Sequence, residues 1–275
     1  MEFAEVPGVL GEIGRATLAS LPALQKAWPG ASGSHRAPRP DGRDFLAAFR
    51  PPVEFPVIAE VKLASPSQGA IAPHLSPVEV AAQYLGAGAA ALSVLTEPDW
   101  FQGSPEYLRL IRQQFPEALL LMKDFFVDPW QVELAAHLGA DAVLVIVALL
   151  GQERSEMMIR KALDTGLTPL VEVHTLPELE VALACGAQLI GVNNRNLKTL
   201  KISLDTTREL IPHVPAGRTI ICESGLARGQ DLAEMAAAGC HGYLIGTSLM
   251  KTGQPGEALA TLLREAADGK KSAEN

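Results

Sequence analysis

From Val57 onward the chain alternates short apolar, β-branched runs with amphipathic segments of helix length, and it does so eight times. Parallel strands need a crossover of a dozen residues or more, which a helix supplies, so the alternation calls for a parallel sheet built of βα units. The runs are Val57 to Lys62, Ala91 to Thr96, Leu119 to Phe125, Ala142 to Val147, Pro169 to Val173, Leu189 to Asn194, Thr219 to Gly225 and Gly242 to Thr247. Gly88-Ala89, Gly139-Ala140, Gly186-Ala187 and Gly239-Cys240 each close a helix just ahead of an even-numbered run, a repeat of two βα units. Eight such units in this length specify an α/β fold, the TIM (β/α)8 barrel, with its active site at the C-terminal ends of the strands. An open doubly wound sheet is the competing arrangement, but no strand leads into a G-x-G-x-x-G turn.

Residues 1–56 precede the repeat and read as an N-terminal helical extension. A helix is expected over 7–27, then a Gly-, Pro- and Ser-dense loop, then a short helix capped by Asp44 and carrying Phe45, Leu46 and Phe49. The barrel is expected over 57–267, and the polar residues 268–275 read as a frayed tail. With 48% hydrophobic and 20% charged residues, the chain suits a single well-cored domain. A formal charge of −8 argues against a nucleic-acid partner, and neither a signal peptide nor a membrane-spanning run is legible. Cys185, Cys222 and Cys240 are widely spaced among apolar neighbours, as buried thiols in a reducing compartment would be. These features predict a cytoplasmic protein, a monomer or weak homo-oligomer, whose partners are small molecules.

The apolar strands carry charges. Glu60 and Lys62 stand two apart on the first, so they share a face, while Lys123, Glu172 and Glu223 fall on the third, fifth and seventh. Taken alone, Glu60 and Lys62 read as a structural ion pair. In an eight-stranded barrel, however, each interior layer draws on alternate strands, so odd strands deliver all five groups to the same layers. A purely stabilising plug of five ionisable groups would be a costly way to fill a core, and a coupled set is acid/base equipment. The sixth strand adds Asn193 and Arg195 on one face, with Arg195 facing either an anion or a carboxylate of the ring, while Asn194 and Asn196 read as turn residues. Ser224 and Gly225 follow the seventh strand, and Gly246-Thr247-Ser248 follows the eighth and opens a helix. Together with the Ser65 hydroxyl, these loops suit a phosphate. Phe101 and Phe125 follow the second and third strands and can wall an aromatic group. Cys222, adjacent to Glu223, should face the helices.

The chain resembles the indole-3-glycerol phosphate synthase family of tryptophan biosynthesis. The resemblance lies in Ile58-Ala59-Glu60-Val61-Lys62, Ser65-Pro66-Ser67, Ser93-Val94-Leu95-Thr96-Glu97, Phe101-Gln102-Gly103-Ser104 and Lys123-Asp124-Phe125. It continues in Leu170-Val171-Glu172-Val173-His174, Gly191 to Leu197, Glu223-Ser224-Gly225 and Leu244 to Met250. It implies a ring closure of 1-(2-carboxyphenylamino)-1-deoxyribulose 5-phosphate without metal or cofactor, releasing carbon dioxide and water. It also implies roles. Lys62 and Lys123 become the cationic pair, one a general acid and the other a holder of the substrate carboxylate, and Glu172 the principal base. Glu60, Asn193, Glu223 and Ser224 complete the polar site; Ser65, Gly225, Gly246 and Thr247 contact phosphate; Phe101 and Phe125 form the aromatic pocket, and Arg195 is the substrate-side arginine. An N-terminal helical segment over the barrel mouth is implied as well. Leu63 and Gln68 depart from the family's basic residues, which makes the entrance less positive. Two other functions fit parts of the pattern: a related phosphate-sugar barrel, such as a phosphoribosylanthranilate isomerase, and a non-catalytic barrel that binds a phosphorylated metabolite.

Overall fold

The computed structural model describes residues 6, 8–36, 44–65, 69–71, 74–197 and 199–274, leaving aside the side chains of Ser65, Ala70 and 271–274. Eight parallel strands close into a barrel. They are β1 Val57–Val61, β2 Ala91–Leu95, β3 Leu120–Lys123, β4 Ala142–Ile146, β5 Thr168–Val173, β6 Leu189–Asn193, β7 Thr219–Glu223 and β8 Gly242–Ile245. Closure comes from β8 pairing with β1 through Val57↔Tyr243, Ile58↔Leu244 and Ala59↔Ile245, which leaves the barrel without an open edge. The expected strands overshoot these at their C-terminal ends. Lys62, Thr96, Phe125, Val147, Asn194, Gly225 and Thr247 lie past the ladder, where the chain turns to build the site. At the end of β7 the cause is visible, since Ser224 (φ 64) and Gly225 (φ 89) are both left-handed and cannot continue a strand.

The helices start where side chains satisfy their free N–H groups. Ser76 accepts from the Glu79 N–H while Glu79 accepts from that of Ser76, and Asp128 with Gln131 repeats the arrangement. They end where the predicted glycines sit, with Gly88, Gly139, Gly186 and Gly239 all at positive φ. The last helix, Pro255–Glu274, continues through 268–274, part of the tail expected to fray. Leu259, Leu262 and Ala266 bury its inner face, and once a helix is anchored each added residue gains a hydrogen bond, so polar residues extend it. No helix among the described residues is long and apolar enough to cross a membrane.

The segment ahead of β1 does two jobs at opposite ends. Helix α1, Gly8–Ala27, brings Leu10 to the rim of the barrel cavity. The chain then runs down the outside: the Gly33 N–H donates to Glu133, Trp130 Nε1 to Ser32 Oγ, and the Arg36 N–H to the Thr165 carbonyl. Arg36 also pairs with Asp141 at 3.1 Å, just before β4, so the strap has reached the N-terminal end of the barrel. There a 3-10 turn, Phe45–Phe49, closes the bottom. Phe49 packs so closely beneath β8 that a Cβ on Gly242 would lie 2.6 Å from its ring. The extension expected to act at the mouth is therefore also the barrel's floor. Phe49→Ala should cost about 3–5 kcal/mol of stability, read as a fall in denaturant midpoint with unchanged slope. An unmoved midpoint would mean that the floor is dispensable.

Candidate active site

Because successive strands are in register, Leu95 lies beside Lys123, Ile146 beside Glu172, and Asn193 beside Glu223, all at the C-terminal rim. Lys123 on β3 leans across the lumen between two carboxylates, with its Nζ 2.8 Å from Glu223 Oε2 on β7 and 3.7 Å from Glu172 Oε2 on β5. On β1 and the loop after it, Lys62 Nζ lies 2.5 Å from Glu60 Oε2. The odd strands thus converge as the alternation requires.

Each carboxylate needs room that an even strand must provide. A Cβ on Gly191 of β6 would lie 2.0 Å from Glu223 Oε1, and one on Gly246 after β8 would lie 2.2 Å from Glu60 Oε2. Electrostatics then sort the groups. Burial pushes the Glu60 carboxyl up, but Lys62, Lys123 and Arg195 outweigh it and its pKa falls. Burial acts against the Lys123 ammonium, but Glu223, Glu172 and Glu60 together raise its pKa. Glu223 goes the other way: burial, opposed by Lys123 and reinforced by Glu172, pushes it up to about 7.

These groups line a cavity of about 630 Å³, a size suited to a small ligand. One wall is aromatic, with the Phe101 and Phe125 rings 6.1 Å apart and inclined at 31°. Buried carboxylates set both ring positions: Glu97 accepts the N–H groups of Asp99, Trp100 and Phe101, and Asp124 accepts that of Phe125. Asp124 also receives the Thr96 hydroxyl, and burial pushes its carboxyl up to about 6. Another wall comes from the loops after β7 and β8, where Ser224, Gly225, Gly246, Thr247 and Ser248 line the cavity. Ser248 Oγ donates to the Leu226 carbonyl and ties the two loops together. Asn193 and Arg195 line it too, with the Asn193 side chain accepting the Arg195 N–H. Ser65 sits in a two-residue strand paired with Gly69, and its side chain falls outside the described part, as does Gln68.

Asn194 departs from its reading as a turn residue. It is buried, its amide donating to the Glu223 and Ser224 carbonyls and its oxygen accepting from the Thr207 N–H and hydroxyl. It fixes the backbone that carries Glu223. Cys222 faces outward as expected, against Thr207 and Asn194. Sequence reasoning gave no role to Asp124, Gly191, His174 or Lys251. Asp124 and Lys251 line the cavity, and His174 stands beside Glu172. Asp124 and His174 each follow a charged strand residue by one or two positions, which was the available signal.

Fold and site together define a (β/α)8 barrel with lysines and buried carboxylates lining a cavity at its C-terminal mouth. A profile of the indole-3-glycerol phosphate synthase family matches residues 24–262, most of the chain. An indole-3-glycerol phosphate synthase of Aromatoleum aromaticum is 45% identical over 80% of this chain and 85% of its own length. One of Carboxydothermus hydrogenoformans is 47% identical over 75% and 78%. The chain belongs to the indole-3-glycerol phosphate synthase family. Among solved structures, the 3-hexulose-6-phosphate synthase of Salmonella typhimurium aligns with a TM-score of 0.61 at 12% identity, covering 78% of this chain and all of that one, a likeness of fold.

Gly191→Ala should leave the barrel folded but push the Glu223 carboxylate off Lys123. A displacement of about 1 Å at such a group costs about 10²-fold in kcat. Full activity in this variant would show that the slot is not needed.

Proposed function

We propose that the chain is an indole-3-glycerol phosphate synthase, a carboxy-lyase of tryptophan biosynthesis. It closes 1-(2-carboxyphenylamino)-1-deoxyribulose 5-phosphate to indole-3-glycerol phosphate with release of carbon dioxide and water. The observation that carries this reading is that the ammoniums of Lys62 and Lys123 line one cavity with the carboxylates of Glu60, Glu172 and Glu223. An isomerase acting on a phosphorylated sugar needs one acid/base pair. A decarboxylating closure must also hold a substrate carboxylate while a ketone oxygen is protonated, which employs the second cation.

In this reading the substrate phosphate sits at Gly225, Gly246 and Thr247 with help from Ser65, and the phenyl ring lies against Phe101 and Phe125. Arg195 and Lys62 hold the carboxylate end. The ring carbon bearing the carboxylate attacks the ketone carbon, and the oxygen takes a proton from Lys123. Even a lysine of raised pKa is a strong enough acid for a developing alkoxide. Carbon dioxide then leaves, and its bonding pair restores the benzene ring. Dehydration follows. Glu172 removes a proton from the methylene carbon beside nitrogen, and the hydroxyl departs as water with a proton from Glu223, which burial keeps partly protonated near neutral pH. The 3.7 Å between Glu172 and Lys123 lets the abstracted proton pass to the neutral amine that Lys123 has become. Glu60 keeps Lys62 in place, and Asn193 and Ser224 complete the polar lining. The chain works in the cytoplasm as a monomer or weak homo-oligomer, with no nucleic-acid or membrane partner, in keeping with its charge of −8.

Chelator-treated protein mixed with the carboxyphenylamino ribulose phosphate should release carbon dioxide and develop indole fluorescence; well-folded protein that does neither would overturn the assignment. Lys123→Met should stop both signals, and Glu172→Gln should retain carbon dioxide release while slowing indole formation by about 10²–10⁴-fold. Parallel loss of both signals in both variants would contradict the division of roles.

A further inference from the structure

His174 stands one residue past β5, two beyond Glu172, with a side chain only 8% exposed. Its two ring nitrogens face different carboxylates. Nδ1 lies 3.1 Å from Glu178 Oε2, and that oxygen also accepts the His174 backbone N–H at 2.7 Å. Glu178 is itself fixed by the first turn of the helix Leu176–Ala184, where its N–H donates to the capping Thr175 hydroxyl. The ring is therefore held from behind, with its proton on Nδ1 when the imidazole is neutral. Nε2 points back into the barrel. It is buried, makes no hydrogen bond, and lies 3.4 Å from Glu172 Oε1, a charge contact that a small movement turns into a bond.

We infer that His174 is a positioning residue for Glu172, held by Glu178 so that its Nε2 faces the carboxylate that takes the reaction's proton. The inference rests on the role given to Glu172 above. The charged groups around the pair come from four elements: Glu172 on β5, Glu178 on the helix that follows, Glu223 on β7, and Lys123 on β3. Burial disfavours an imidazolium here, but Glu178, Glu172 and Glu223 outweigh it and raise the pKa of His174. A protonated ring places its positive charge 3.4 Å from Glu172 Oε1, an attraction that favours the carboxylate as a proton acceptor. The arrangement keeps the base open for the step. It explains why a polar nitrogen is left unbonded in the interior.

The test is the pH dependence of kcat in His174→Gln, Glu178→Gln and Glu172→Gln. His174→Gln removes the charge that faces the base, so the acid limb should move up by about 1 unit. Glu178→Gln leaves the ring but weakens its hold on the proton, so the limb should move the same way by less. Substrate KM should stay within about twofold of wild type in both. If folded His174→Gln lost activity by one factor at every pH, with the limb stationary, His174 would be packing alone and the inference would fall. Should that variant not fold, the Glu178→Gln limb decides in the same manner. Glu172→Gln separates the premises: turnover at the wild-type rate would sink Glu172 as the base and this inference with it, whereas slow Glu172→Gln with unmoved limbs in the other two would sink only the role of His174.

Discussion

The lumen of this barrel is arranged around the ammonium of Lys123, held between Glu223 and Glu172 at 2.8 and 3.7 Å. A lone charge at that depth would cost several kcal/mol, and so would either carboxylate without it, so each lowers the cost of burying the others. The dependence spreads to strands that carry no charge. β6 must have glycine at 191 and the loop after β8 must have it at 246, because side chains there would occupy the space of Glu223 and Glu60. Asn194 then pins the backbone at Glu223 and Ser224. Even strands are shaped by the needs of the odd ones.

Stability and chemistry are assigned to opposite ends. At the N-terminal end Phe45, Phe49 and Phe55 close the floor, and Asp141 gathers Arg36, Arg112 and the Leu120 N–H. At the other end the chain leaves regular structure early, accepts left-handed backbone at Ser224, and spends its polar groups on the cavity. The N-terminal extension serves both ends, with Leu10 at the rim and Phe49 under β8.

Much of this was legible in the sequence. The alternation from Val57 gave the strand count, and the odd-strand charges gave the ring, because a barrel turns a one-dimensional spacing into shared layers. What escaped reading depends on contacts across strands. Gly191 is an ordinary strand glycine until the register sets it against Glu223, and Asn194 is an ordinary turn residue until Thr207 folds back on it. His174 looks like a strand-end histidine, and only the helix that begins at Leu176 brings Glu178 to its far side. The floor escaped because nothing local in Phe45–Phe49 says which end of a barrel it will meet. The tail escaped because polarity predicts exposure, and an exposed segment can still prolong an anchored helix.

The central claim is that Lys123 and Glu223 form one electrostatic unit, and a double-mutant cycle on folding stability addresses it directly. Lys123→Met and Glu223→Gln should each destabilise by leaving a buried charge short of its partner. The double variant should be less destabilised than the sum of the two, with a coupling of about 0.5–3 kcal/mol. Strictly additive effects would contradict the account, because they would mean that the two charges do not depend on one another in the folded barrel.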